Sequence, residues 1–441
     1  MKARRRSRAP LTVKPLRAVA ASLAVIVLFA GLSPAGSVSG NPVIVTGFKD
    51  GPVILTNDYQ TLGRQELARG SWFITAKFFA FNGDTTIPTV HDVDCVFGTN
   101  DIADGVDVFT AGDSAFDHLP VTLTEAIHFG SGGGAVRLRC RTTDAGGEVP
   151  INFIKMTAVR AGTLTRRAGT QSTTYGQGKP SITAITKDGA TTLSNETETV
   201  LTLNRGQGRW VAFARGTLRN TDDDGYFAHG NCALRGGGET DKALEASMYY
   251  NGGTHPIFHL LTTEFGPGGG EVRLRCSSET AGDNDPVKLQ RASITAMRVG
   301  KLTRHTSGGL TVSGNGTPRV VSTHLPAVTG LNGASVAETV ATLPVPKGLW
   351  TLLGKVSAGQ GGPPPAVLTT CTLVAEGDYD RVKAKVGYST YMGMNVSHVF
   401  ASPGTASITC SSNGTDNQVF VGHIRIVAIK ARALTNAPLD P

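Results

Sequence analysis

One pattern recurs three times along this chain and limits what it can fold into. A tryptophan two residues after a glycine (Gly70 and Trp72, Gly208 and Trp210, Gly348 and Trp350) precedes two cysteines and a closing apolar segment ending on a base. The tryptophans stand 138 and 140 residues apart, far beyond the roughly 20 to 50 residues of solenoid or propeller repeats. The repeating unit is therefore a whole domain. Its cysteines fall in matched pairs, Cys95 with Cys140, Cys232 with Cys276 and Cys371 with Cys410, separated by 45, 44 and 39 residues. That regularity predicts one internal disulfide per domain, each worth about 3 to 4 kcal/mol in the loop-entropy picture. The spacing does not suit a metal: there is no CxxC, and no histidine recurs at ligand distance from the cysteines.

Periodicity supplies the secondary structure. Val136, Leu138 and Cys140 alternate with Arg137 and Arg139, and Val272, Leu274 and Cys276 alternate with Arg273 and Arg275. Period two marks half-buried strands with inward cysteines; Val93, Cys95 and Phe97 share that parity. The bridge then joins either the two sheets of a sandwich or adjacent strands. Further strands are expected over 72–81, 210–218, 350–356, 119–129, 256–265, 151–159, 292–299 and 420–429. The glycine runs 130–134 and 266–270 lead into strands and so read as hairpin turns, because a phosphate cradle needs a helix N-terminus behind it. No segment carries a 3.6-residue apolar stripe of helical length. With 55 glycines and 22 prolines, the chain reads as all-β: three tandem β-sandwich, jelly-roll-like domains.

The expected organisation is a signal peptide over 1–40, repeat 1 over 41–167, a linker over 168–180, repeat 2 over 181–305, a linker over 306–319, repeat 3 over 320–435 and a tail over 436–441. The first two repeats share GGGxVRLRC, whereas the third reads Ala406-Ser407-Ile408-Thr409-Cys410 and has lost the arginines. Seven bases and no acid in residues 2–17, then a 15-residue apolar run from Ala18 to Leu32, form a signal sequence too short for the roughly 20 residues of a spanning helix. Cleavage is expected between Gly36 and Asn41, leaving a secreted, extracellular protein with no stable membrane span. The basic leader on an Ala- and Gly-rich chain resembles those of high-GC Gram-positive exporters. The formal charge of +8 includes +7 from the leader. The remaining surface is nearly neutral, which excludes the basic face that nucleic-acid binding needs.

The order of aromatic strand after a glycine turn, central cysteine strand, Gly-rich hairpin, VxLxC strand and closing strand resembles the jelly roll of the complement globular-head and tumour-necrosis-factor group. That group assembles as trimers. The resemblance implies that three units in one chain form an intramolecular pseudo-trimer; beads in a row fit the same linkers.

Candidate chemistry is sparse. No HExxH, GxSxG or Walker-type sequence is present, and no cofactor is implied. His255 and His259 stand where repeat 1 has Leu119 and Leu123; four apart on a strand, they share a face, and with His229 could contact a metal or glycan. The alternative is that they are exposed strand residues. Asp222, Asp223 and Asp224, like Asp101, Asp104 and Asp107, could offer calcium ligands or form solvated turns. Tyr249 and Tyr250 precede Asn251-Gly252-Gly253 in a loop suited to stacking on sugars, or in an ordinary turn. Two function classes follow: a non-enzymatic binding or structural protein recognising glycan, cell-wall polymer or protein, and a secreted hydrolase acting on extracellular polysaccharide. The first is favoured because no polar constellation recurs among the repeats; what recurs reads as core.

Overall fold

Each Gly-x-Trp motif builds the same clip. Gly70, Gly208 and Gly348 have φ of 130°, 134° and 135°, a region that favours glycine. The base closing each repeat crosses that glycine: a Cβ there would meet Arg160 Nε at 3.2 Å, Arg298 Nε at 3.0 Å and Lys430 Cε at 3.1 Å. Each base ends 5.8 to 6.0 Å from the centroid of its tryptophan ring, within cation–π reach. The indole N–H groups donate to the carbonyls of Ala68, Gly206 and Pro346.

A computed structural model of the chain describes residues 40–81, 91–99, 103–110, 118–143, 149–168, 171–221, 228–242, 246–248, 254–280, 287–306, 309–333, 335–361, 367–386, 389–415, 418–437 and 439. Residues 1–39 of the expected signal peptide lie outside these. Module 1 comprises β1 (Val43–Lys49), β2 (Val53–Ile54), β3 (Gln60–Leu67), β4 (Gly70–Phe81), β5 (His91–Gly98), β6 (Ala103–Thr110), β7 (His118–Phe129), β8 (Gly134–Thr142) and β9 (Pro150–Ala161). A hairpin follows, β10 (Thr163–Ala168) and β11 (Gln171–Gly176). Module 2 comprises β12 (Ser181–Lys187), β13 (Thr191–Thr192), β14 (Glu198–Arg205), β15 (Gly208–Asn220), β16 (Ala228–Gly236), β17 (Glu239–Lys242), β18 (Ala246–Met248), β19 (Thr254–Phe265), β20 (Gly270–Thr280) and β21 (Val287–Val299). The second hairpin is β22 (Lys301–Thr306) and β23 (Gly309–Ser313). Module 3 comprises β24 (Arg319–Leu325), β25 (Thr329–Gly330), β26 (Glu338–Val345), β27 (Gly348–Gln360), β28 (Val367–Ala375), β29 (Asp378–Val386), β30 (Ser389–Phe400), β31 (Gly404–Ser412) and β32 (Val419–Lys430), and β33 (Ala433–Asn436) ends the series.

Every module is a two-sheet jelly roll. In module 1 one sheet runs β1-β9-β4-β7 and the other β3-β8-β5-β6, and modules 2 and 3 repeat both orders. The disulfides Cys95–Cys140, Cys232–Cys276 and Cys371–Cys410 form as the spacing predicts. Their cysteines face each other as register partners on adjacent strands of one sheet, which settles the alternative left open by parity. Among the described residues there is no helix, and none long and apolar enough to cross a membrane.

The modules close on one another. Strand β10 leaves module 1 and pairs in parallel with β12 of module 2, and β22 leaves module 2 and pairs in parallel with β24 of module 3. Strand β33 then leaves module 3 and pairs in parallel with β1 of module 1. The segments 168–180 and 306–319, read from sequence as linkers, thus contain paired strands β11 and β23; their polar composition reflects edge positions, since β11 is almost wholly exposed. Closure explains an excess of burial. A sandwich strand facing solvent buries alternate residues, yet β15 is buried continuously from Trp210 to Thr217. Its second face packs into an apolar core shared by all three modules, with Phe73, Phe213, Leu353, Met297 and Val427 among its members. Phe73 of module 1 stacks on Phe213 of module 2 at 4.5 Å.

The tail beyond β33 completes the closure. Leu439 joins the core of module 1, where Cβ atoms on Gly47 and Gly63 would lie 2.5 and 3.2 Å from its methyl groups. Module 2 carries Ile185 and Leu201 at the corresponding register positions, so it fills with its own side chains the space that module 1 leaves to Leu439.

Candidate functional site

A polar constellation does recur, and it lies between modules. Five residues after each tryptophan stands a base: Lys77, Arg215 and Lys355. Nine residues after each first cysteine stands an acid: Asp104, Asp241 and Asp380. Each acid occupies the same register place, opposite Phe97, Leu234 and Leu373 respectively. Each base precedes a β-bulge against the closing strand, and bulges re-aim side chains. Lys355 Nζ meets Asp241 Oδ2 of module 2 at 2.7 Å, and Lys77 Nζ meets Asp380 Oδ1 of module 3 at 2.7 Å. Arg215 is buried against module 1, donating from Nε to the Thr124 carbonyl at 3.3 Å; burial, with Arg291 nearby, pushes its guanidinium down to about 9. Spacing alone could have revealed these residues, had the repeats been compared at polar positions rather than at core ones.

The seam between modules 2 and 3 is closed by charge. Asp241, wholly buried, accepts from Lys355, from Arg425 Nε at 2.9 Å and from the Leu260 amide at 3.0 Å. Burial alone would raise its pKa, but the Lys355 ammonium, the His259 hydrogen bond and the Arg425 guanidinium hold the carboxyl well below the usual range. His259 Nδ1 lies 3.1 Å from Asp241 Oδ2, and His255 Nε2 lies 3.0 Å from the Ser389 carbonyl of module 3. Both histidines have lowered pKa values because burial disfavours the imidazolium. Tyr391 of module 3 inserts edge-on against both rings, 5.4 and 5.6 Å away. Neither sequence reading of this pair holds: they are not exposed strand residues, and their surroundings leave no access for a glycan. A face that points outward in one sandwich is covered by its neighbour here.

The other sequence candidates scatter. His229, on β16, does not join His255 and His259 in a ligand set, and among the described residues no cluster of His, Cys, Asp and Glu could hold a metal. Asp222, Asp223, Asp224, Tyr249, Tyr250 and Asp101 lie outside the described residues. Asp104 and Asp107 belong to strand β6 rather than a calcium loop.

The seam between modules 3 and 1 is open. A cleft of 340 Å³ lies there, lined by Thr46, Phe48 and Lys155 of module 1, Asp378, Tyr379 and Ser397 of module 3, and Asn436 and Ala437 of the tail. Phe48 and Tyr379 are 47% and 58% exposed. At the corresponding place between modules 1 and 2, Arg166 and Arg167 of β10 stand where β33 has Asn436 and Ala437. Arg166 reaches buried Glu125 at 3.4 Å, and only 10 Å³ remains. The larger cleft follows from smaller side chains on the tail strand. On its rim His398 is held between Asp378 Oδ2 at 2.8 Å and Glu376 Oε2 at 2.9 Å. Burial opposes the imidazolium, but the two carboxylates outweigh it and raise its pKa.

No known protein family matches this chain, and no curated protein does. Solved structures give slight likenesses. A triple jelly roll turret protein of an archaeal virus is 10% identical, with 89% of this chain and 92% of that one covered and a TM-score of 0.20. An infectious bursal disease virus particle protein is 8% identical, covering 91% and 81%, with a TM-score of 0.21. A tandem CBM22 domain of Paenibacillus barcinonensis Xyn10C is 11% identical, covering 60% and 99%, with a TM-score of 0.18. The jelly roll of this chain stands on its own strand order.

Proposed function

We propose that this is an exported, non-enzymatic binding protein, a single-chain ring of three jelly rolls that takes an extracellular glycan or cell-wall polymer in the cleft between modules 3 and 1. The observation that carries this reading is the break in repetition. Two seams are filled, by Arg166 with Glu125 and by Arg425 with Asp241, whereas the third keeps a cleft flanked by exposed aromatic rings. Ligand clefts combine apolar walls with a few placed polar groups. Six paired cysteines and no free one support an oxidising compartment, and with the basic leader they support secretion. The ring also supports kinship in design with the complement globular-head and tumour-necrosis-factor group, one chain doing the work of three. Hydrolysis of a glycoside calls for two facing carboxylates; among the described residues Asp378 is the single acid lining this cleft, and it is engaged by His398.

The test is retention of the purified protein on cell walls and culture polysaccharide, beside the double variant Phe48→Ala, Tyr379→Ala. Both side chains are exposed, so folding should persist. Loss of retention in the variant with an unchanged melting temperature is the expected outcome; equal retention would place the ligand elsewhere.

A further inference from the structure

The bases that flank the acids of two seams are not equally satisfied. Lys155, Ser293 and Arg425 occupy one register position in modules 1, 2 and 3, opposite Phe48, Thr186 and His324. In the seam between modules 2 and 3, Asp241 serves two cations, Lys355 through one oxygen and Arg425 through the other. In the seam between modules 3 and 1, Asp380 gives Oδ1 to Lys77 and accepts the Asn395 amide on Oδ2 at 2.6 Å. Lys155 receives nothing. It is 9% exposed and lines the cleft, and among the described residues it has neither a hydrogen-bond nor an ion-pair partner. Lys155 Nζ is not among the buried polar atoms that lack a partner, so the ammonium opens on the cleft, where an anion can meet it through a charge-assisted contact.

We propose that the cleft takes an acidic sugar, its carboxylate on Lys155 Nζ and its ring against Phe48 and Tyr379. This rests on the binding reading above and adds the ligand's charge. An acidic sugar fits better than an acidic peptide because the open flanks are aromatic faces with hydroxyl and amide neighbours, Thr46, Ser397 and Asn436, which suit a flat ring carrying hydroxyls. The cleft lies at the small end of ligand sites, and one cation marks one carboxylate.

Calorimetric titration of the purified protein with trigalacturonic acid, its methyl ester and neutral galactotriose tests the proposal. The acid should bind about tenfold or more tightly than the ester, the value of one charge-assisted contact. Lys155→Gln should erase that difference by weakening the acid alone, and Lys155→Arg should keep it. Melting temperatures check that each variant is folded. Equal binding of acid and ester, an unaffected Lys155→Gln protein, a poly-glutamate peptide binding as tightly, or no acid binding at millimolar concentration would each overturn the proposal. If retention on polysaccharide still depends on Phe48 and Tyr379 in those cases, the cleft remains a binding site and only the charge of its ligand is wrong.

Discussion

Single residues decide how the seams differ. Glu125, 6% exposed and reached by Arg166 at 3.4 Å, has its carboxyl pushed up to about 7 by burial, which outweighs the guanidinium and the Ala126 amide. A raised acid pKa means that the folded state holds the proton more tightly than the unfolded chain. That contribution to stability is full below the ordinary glutamate value of 4.5 and is lost as pH climbs through about 7. Glu125→Gln should therefore raise the stability at pH 8 by an amount on the order of 2 kcal/mol, seen as a higher melting temperature, and leave it unchanged near pH 4; thermal unfolding at the two pH values checks this. The tryptophans, cysteines and closing bases were legible because their repetition is strict and their burial local. The Trp+5 bases and Cys+9 acids repeat as strictly, but Lys77, Arg215, Lys355, Asp241 and Asp380 meet residues of another module, and nothing within one repeat calls for the partner. His255 and His259 misled for the same reason, since the face they occupy looks solvent-exposed until module 3 covers it.

At the scale of elements, β10, β22 and β33 are the ties of the ring. Sequence placed two of them beside linkers because β11 is polar almost throughout and β23 is a five-residue edge strand whose Leu310 and Val312 are exposed, too short a run to carry a core signal. The eight-strand order of each jelly roll was legible as a class, from alternation and glycine turns, but not as a topology. The tail was unreadable: residues 436–441 hold one large apolar side chain, and its socket is two glycines some 376 and 392 positions earlier in the chain. Leu439→Ala should cost about 2 kcal/mol or more, seen as a lower melting temperature, with faster amide exchange confined to β33 and the facing β1. A cost near zero would mean that the tail does not hold this seam.

At the scale of the whole molecule, closure accounts for burial, seam chemistry and the cleft together. Buried ion pairs add little net stability; two of the same orientation, Lys77 with Asp380 and Lys355 with Asp241, each base meeting the preceding module, instead specify which faces may meet. A linear array would leave one set of bases and one set of acids uncovered, along with the apolar face around Phe73 and Val427, a large exposed patch of the kind that drives association. The most direct test is distance. Gly132, Gly268 and Ser402 are equivalent exposed hairpin positions, each two residues before the strand that pairs from Gly134, Gly270 or Gly404. Spin labels placed there in pairs, and read by pulsed dipolar spectroscopy, should give three nearly equal separations. A module 1 to module 3 separation far longer than the other two would contradict the closed ring.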